Sequence, residues 1–370
     1  MLPFFYTMIN IKTKNRPLVK KTKWILVILL PLQWLFINLI KDDPNWIEFN
    51  YSLNIYPFFF NLQAFFLKYL PFSFGDLAYA MALVYVIWSL GRFIKRQIKI
   101  YPLLLNLLAS TSLLSILFHL HWGLNYYRLP LHEKLNYRNE YTQEELEKTL
   151  GLMIQSTNEL HASLSNEDSV AVQIPYSKEK IILLIEEHFD FDLYNFKTQP
   201  YLKNSLWSIP LSYMGFAGYL NPLTLESQIN SKIPKLSYIT TATHEMAHQL
   251  GIASESEANF VAFYTSSKHP DPFIQYAAYS FAIRYCYAEL YKADSEKAKN
   301  KLSKLNTGVL KNYQKQSSFW SKFQNPFEPY FKKGYDTYLK ANGQTKGIQS
   351  YNAMVSMLIA YTLANESTLP

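Results

Sequence analysis

The sequence predicts a mostly α-helical protein with a small β-sheet, an α+β chain in which an N-terminal bundle of three transmembrane helices precedes a helical domain. Three observations lead there. Long uncharged apolar runs crowd the first third of the chain and stop at Trp122. Beyond that point apolar residues recur at helical spacing behind recognisable caps. One stretch, Ser208 to Asn230, interrupts that pattern with Gly215, Gly218 and Pro222 and reads as short strands and turns.

At 370 residues, 49% hydrophobic and only 17% charged, the chain is too apolar for a disordered or linker-rich protein. Its net charge of +8 would suit nucleic acid if spread over one face, but much of the excess sits in two short clusters. Lys12, Lys14, Arg16, Lys20, Lys21 and Lys23 precede the first apolar run; Arg92, Lys95, Arg96 and Lys99 separate the second from the third. Basic residues abutting apolar runs mark membrane topology, so lipids are the expected partner and nucleic acid is not. The one cysteine, Cys286, excludes an intramolecular disulfide and a cysteine-based metal cage.

The first span, residues 24–40, carries no charge and is about long enough to cross a bilayer core. A cleaved leader fits it less well, because the run starts late and no small-residue cleavage site precedes Lys41-Asp42-Asp43. Residues 77–94 and 101–120 supply two more spans. The aromatic stretch 54–72 is broken by Pro57, Asn61, Gln63, Lys68 and Pro71. If it also crossed, the basic clusters would fall on opposite sides, against the positive-inside rule. It is therefore expected to be an interfacial or re-entrant helix on the outer surface. Residues 1–121 then form a multi-pass anchor in the cytoplasmic (inner) membrane, and residues 122–370 a soluble domain in the periplasm or outside the cell.

The soluble part opens with a helix over residues 141–164, where Thr142 and Glu145 suit a capping box. A second helix follows at residues 177–189, and helices return from about Thr241.

The chemistry lies in THEMAHQLGIASESEANF, Thr243 to Phe260. His244 and His248 stack on one helical face, and Glu245 points to the neighbouring flank. This H-E-x-x-H spacing lets two imidazoles bind one zinc ion while the glutamate activates water as a general base. The competing account is an ordinary solvated helix face. Gly251 ends the helix, and Ser254 is placed to cap a new one that brings Glu255 and Glu257 towards the metal. A catalytic zinc with two histidines needs a third protein ligand and keeps one position open. Only one of the two glutamates can face it, since they lie roughly 200° apart around a helix.

H-E-x-x-H followed by E-x-x-A-N resembles the gluzincin-type membrane metalloproteases, including the CAAX prenyl protease and heat-shock membrane protease families. In those families the first glutamate of E-x-x-A-D is the third zinc ligand. The resemblance places that role on Glu255, with Asn259 in the place of the aspartate. It leaves Glu257 as the alternative, or as a partner that orients a ligand histidine. The gap between the two motifs is much shorter here than in those families. The metzincin pattern matches Gly251 but meets Ser254 where its third histidine should stand. Over nearly the whole chain, the three spans, HWGLNYYRLP, GYLNPLTLESQIN, HEMAHQLG, ESEANF and YLKANGQTKGIQSY are together similar to a Bacteroidota membrane-protein family of unknown function. That resemblance implies an architecture and a zinc site, and no substrate.

A zincin-like site needs a strand beside the metal to hold an extended substrate by main-chain hydrogen bonds. Gly215, Gly218 and Tyr219, just upstream of the metal helix, are the expected substrate-binding edge, although a plain hairpin reads the same way. Arg284, Tyr285 and Tyr287 are candidate transition-state stabilisers. Glu226 and Asn230 are candidates to line the cleft but are expected at the surface, His119 and His121 are expected as interfacial anchors, and Arg128 as a headgroup or domain-docking contact. The stretch 338–351 reads as a cleft rim or a turn between helices. The expected function is a membrane-anchored zinc metallohydrolase, a peptidase acting on peptide or protein substrates in the envelope, with Glu245 as base. The alternative is a non-catalytic envelope protein with a structural or vestigial zinc site. A purely structural zinc has no use for Glu245 and would recruit a fourth protein ligand.

Overall fold

The computed structural model describes residues 16–344 and 351–365. Lys12 and Lys14 of the first basic cluster, and Thr345 to Ser350 of the late polar stretch, lie outside the described residues. The chain is mostly helical with a small three-stranded sheet, as its patterning predicts.

Helix α1 (Arg16–Ile40) is followed by a single helical turn, a π-helix over Ile47–Ile55, and α2 (Tyr56–Leu67). Helices α3 (Phe74–Ile94) and α4 (Ile100–His121) come next. By length and apolar composition α1, α3 and α4 can each cross a membrane. Helix α1 lies along α4, where the Ser112 hydroxyl donates to the Leu26 carbonyl at 2.5 Å. Helix α3 has no comparable packing against either. The Lys20 ammonium lies 5.8 Å above the Tyr101 ring, so Lys20 of the first cluster stands beside the start of α4, just after the second cluster.

The broken aromatic stretch is not among the helices long and apolar enough to cross. It forms α2, whose Tyr56, Pro57 and Phe60 are buried while Phe58, Phe65 and Phe66 are exposed. The buried face docks on the rest of the chain: the Tyr56 hydroxyl donates to the Gln249 carbonyl at 2.9 Å. A compact cluster of Ile37, Tyr51, Tyr56, Trp122, Tyr201 and Ala253 joins residues from both sides of position 121. Anchor and domain therefore share a core.

Beyond the spans, α5 (Gln143–Leu164) carries the full Thr142–Glu145 capping box, and α6 (Lys178–His188) is capped by Ser177. Strand β1 (Leu202–Asn204) leads to α7 (Ser208–Met214), β2 (Gly218–Leu220) and β3 (Ser227–Ile229). Ser208 to Met214 falls in the stretch that reads as short strands and turns. It is helical: Gly215, at φ +79°, gives it a left-handed end, and the Ser212 hydroxyl bonds back to the Ser208 carbonyl. The sheet runs β1-β3-β2, with β1 parallel and β2 antiparallel to the central strand. β2 is thus an edge.

Helices α8 (Lys235–Gln249), α9 (Glu255–Ser267) and α10 (Pro272–Ala293) form the centre of the domain. Helices α11 (Ser295–Leu302), α12 (Thr307–Ser321), α13 (Glu328–Ala341) and α14 (Tyr351–Ala364) complete it. The main core takes Leu150 and Met153 from α5, Ile239 and Met246 from α8, Phe260 and Phe263 from α9, and Tyr276 and Ile283 from α10.

Two expected surface residues are buried instead. The Glu226 carboxylate accepts from Phe74 and Gly75 amides at 3.1 and 2.6 Å, and from Lys203 Nζ at 2.8 Å. It thereby closes the N-terminus of α3, where free amides and the helix dipole favour an anion. Asn230 donates to the Ser212 hydroxyl at 2.9 Å and braces α7 against β3. Neither role has a local sequence signal, because each partner is distant or on another element.

Candidate metal centre

Helix α8 presents His244 and His248 on one face, their rings 4.7 Å apart at 87°. Gly251, at φ +80°, then turns the chain back, and α9 brings Glu255 to the same point. Ser254 stands at the N-cap as expected, but its hydroxyl meets the Ser256 hydroxyl and not a helix amide. His244, His248 and Glu255 each offer one ligand atom, all within 4.8 Å of one another. Glu255 lies 3.3 Å from His244 Nε2 and 3.7 Å from His248 Nε2.

The other ring nitrogens are already engaged. His244 Nδ1 pairs with Asn259 Oδ1 at 2.8 Å, and His248 Nδ1 with the Ile252 carbonyl at 2.7 Å. Both partners accept, so each Nδ1 carries a proton and each Nε2 is left to face the shared point. Asn259 and Ile252 thus do the orienting work considered for Glu257. Glu257 lies apart from the cluster and accepts from the Leu131 amide at 2.8 Å.

Glu245 is buried, and its Oε2 has no hydrogen-bond partner among the described residues. Burial pushes its carboxyl up to about 8 against an opposing pull from His244, and the Glu255 charge adds a lesser push. Burial brings His248 down to about 4. Burial also opposes charge on Glu255, yet the two histidines outweigh it and hold that carboxyl down to about 2. The cluster is therefore a negative carboxylate facing imidazole nitrogens, a donor set that can hold a divalent cation.

The cluster lies in a cleft of about 890 Å³. Gly215, Gly218 and Tyr219 line it as expected, and β2 runs along its wall. The Ser227 hydroxyl donates to the Glu245 carbonyl at 2.7 Å and ties the sheet to the metal helix. Arg284 and Tyr285 also line the cleft, whereas Tyr287 does not. The residue missed from sequence is Tyr335 of α13, whose hydroxyl donates to Glu255 Oε1 at 2.6 Å. Burial, with Glu255 beside it, raises its phenol well above the usual range, so it stays a donor. One tyrosine among 29 gives no sequence signal across that separation.

Arg128 proves to be a docking residue. Its guanidinium binds Glu48 of the π-helix at 2.6 and 2.8 Å and the Gly251 carbonyl at 2.8 Å, just beyond the metal helix. Of the two interfacial histidines, His119 bonds Gln33 and Ser115 within the bundle, and His121 bonds the Leu223 carbonyl of the domain.

A family model described as "Protein of unknown function (DUF3810)" matches residues 51–359. The chain belongs to that family. No curated protein and no solved structure matches it. The DUF3810 segment takes in α3, α4, the sheet and the whole ligand cluster, while α1 precedes it.

Proposed function

We propose that this protein is a membrane-anchored zinc metallohydrolase of zincin-like design, a peptidase whose domain lies outside the cytoplasmic membrane. The observation that carries this reading is the three-ligand cluster with the buried, unpartnered Glu245 oxygen beside it. Two oriented imidazoles and one carboxylate suit zinc and leave a position for a further ligand. A zinc ion held by His244, His248 and Glu255 would polarise the scissile carbonyl and acidify water.

The remaining tasks fall to the chain's own residues. Glu245, with one carboxylate oxygen unengaged beside the cluster, accepts the proton of the attacking water and returns it to the leaving amine. The free edge of β2 can hold an extended peptide by its main chain. Tyr335 supplies a protonated hydroxyl at the same cluster for the developing oxyanion. A structural zinc would call for a fourth protein ligand, and among the described residues the cluster has three. Placement of the domain outside is supported by Lys20 lying beside Tyr101, next to the second basic cluster, while Asp76 and His121, at the other end of the bundle, bond to the domain.

The test is zinc analysis of the purified full chain beside Glu245→Gln. Both should hold about one zinc per chain, while the variant loses hydrolysis of peptide libraries or envelope extracts by roughly two to four powers of ten. Equal activity in the two would defeat the mechanism. Inert zinc with no activity in either would favour the structural site.

A further inference from the structure

The cleft does not end at the domain. Its wall continues onto Tyr79 and Leu83 of α3 and Phe118 of α4, two helices able to span a membrane. Leu83 lies seven residues beyond Asp76 (83 − 76), about 10 Å further along the helix. Asp76 marks where the domain begins, because its carboxylate accepts from the Leu206 amide and from the Tyr219 hydroxyl. The metal cleft therefore reaches past the domain and down the side of the bundle.

Among the described residues no other helix packs extensively along α3. Leu83, Val84, Tyr85 and Val86 are 52%, 66%, 56% and 51% exposed. Four consecutive residues point to every side of a helix, so among the described residues no protein wall encloses α3 there. Between α3 and the α1–α4 pair the cleft is open sideways, and in a membrane that opening faces lipid. Tyr79 stacks on Tyr219 of the edge strand at 6.3 Å, and Phe118 meets Tyr338 at 6.1 Å. An apolar, largely aromatic path thus leads from the lipid side to β2 and the ligand cluster.

We propose that the substrate is a polypeptide with an apolar tail, and that it enters from the bilayer between α3 and α4. The tail stays against Leu83 and Phe118 while the adjoining polar segment extends along β2 to the metal cluster. This rests on the hydrolase reading for the cleavage itself; the entry route has its own observable. A substrate confined to the membrane also gains effective concentration, on the order of a hundredfold or more, with no new contact.

The experiment uses the full chain, zinc-loaded, in lipid nanodiscs. Three peptide hydroxamates share one head group: the first has no tail, the second an N-palmitoyl chain, the third a hydrophobic transmembrane peptide. Both tails carry a photoreactive diazirine. At least one tailed probe should bind a hundredfold tighter than the untailed one and label α3 near Leu83 and α4 near Phe118; the better tail identifies a lipid-anchored or a membrane-spanning substrate. Leu83→Trp should cut that labelling and reduce the tailed-to-untailed ratio about tenfold, with zinc content unchanged. Leu83→Ala should keep the labelling, which guards against a folding artefact. Labelling scattered over the outer face of α1, or a ratio untouched by Leu83→Trp, would overturn lateral entry and leave the hydrolase standing. Failure of all three probes to bind a zinc-loaded chain would overturn the hydrolase reading and the entry route together.

Discussion

A β-carbon on Gly218 would lie 2.7 Å from Glu245 Oε1, so the edge strand passes the proposed base at a distance only glycine allows. The same β-carbon would meet the Gln228 carbonyl at 2.8 Å, which leaves the strand no room to retreat. Gly218→Ala should displace Glu245 while the ligand cluster keeps its zinc. Misplacement of a reacting group by about an ångström costs roughly a hundredfold, and the loss should appear in kcat. Zinc content measured beside turnover checks it; a fully active alanine variant would show that the strand is softer than its contacts imply.

Asn259 and Glu257 sit on one helix and should behave oppositely. Asn259→Ala removes the acceptor that orients His244 and should weaken zinc binding by about 10–100-fold. Glu257→Ala should leave zinc affinity as it was, since that carboxylate serves the Leu131 amide. Competition with a zinc-sensitive dye ranks the two variants. Zinc loss in Glu257→Ala alone would return the third ligand to that residue.

Tyr335→Phe keeps the ring between Phe216 and Tyr338 and removes only the hydroxyl on Glu255. If that hydroxyl stabilises the oxyanion, kcat should fall by roughly 10²–10³ with KM little changed. Tyr287→Phe, outside the cleft, should match wild type. Arg284→Ala, at the cleft wall, should act mainly on KM.

The clamp under the metal helix predicts an acid limb of stability. Burial raises the Glu48 carboxyl, but Arg128 and Lys134 outweigh it and hold it down to about 2, from an ordinary 4.5. A depressed acid stabilises the fold above its unfolded pKa and loses that contribution as pH falls through its folded one. Melting temperature should therefore drop between about pH 4.5 and 2, and Glu48→Gln should flatten that drop. At neutral pH Glu48→Ala strands Arg128 and should cost about 3–5 kcal/mol.

Cys286 is buried, so an introduced cysteine can report topology without removing it. With the domain outside, a membrane-impermeant maleimide should label Lys311→Cys in spheroplasts. Gln97→Cys, between the basic residues after α3, should be labelled only after lysis. The reverse pattern would invert the proposed topology.

Much of this protein is local in its sequence. The spans need only length and an absence of charge, and the helix caps need only Thr142, Glu145 and Ser177 at the right offsets. His244, Glu245 and His248 are likewise set by helical spacing, because one turn of α8 brings the two imidazoles together. What depends on distant partners was decided only by tertiary structure. Glu255 and Glu257 are equally acidic and two residues apart, and only the packing of α9 against α8 shows which one meets the histidines. Tyr335 reaches the same carboxylate from 80 residues away, and Glu226 caps α3 from 151. Patterning along a chain reports which face of an element is apolar. Which polar group that face will meet is fixed when the elements pack, since a buried carboxylate or amide must then find its partner among whatever the fold brings near.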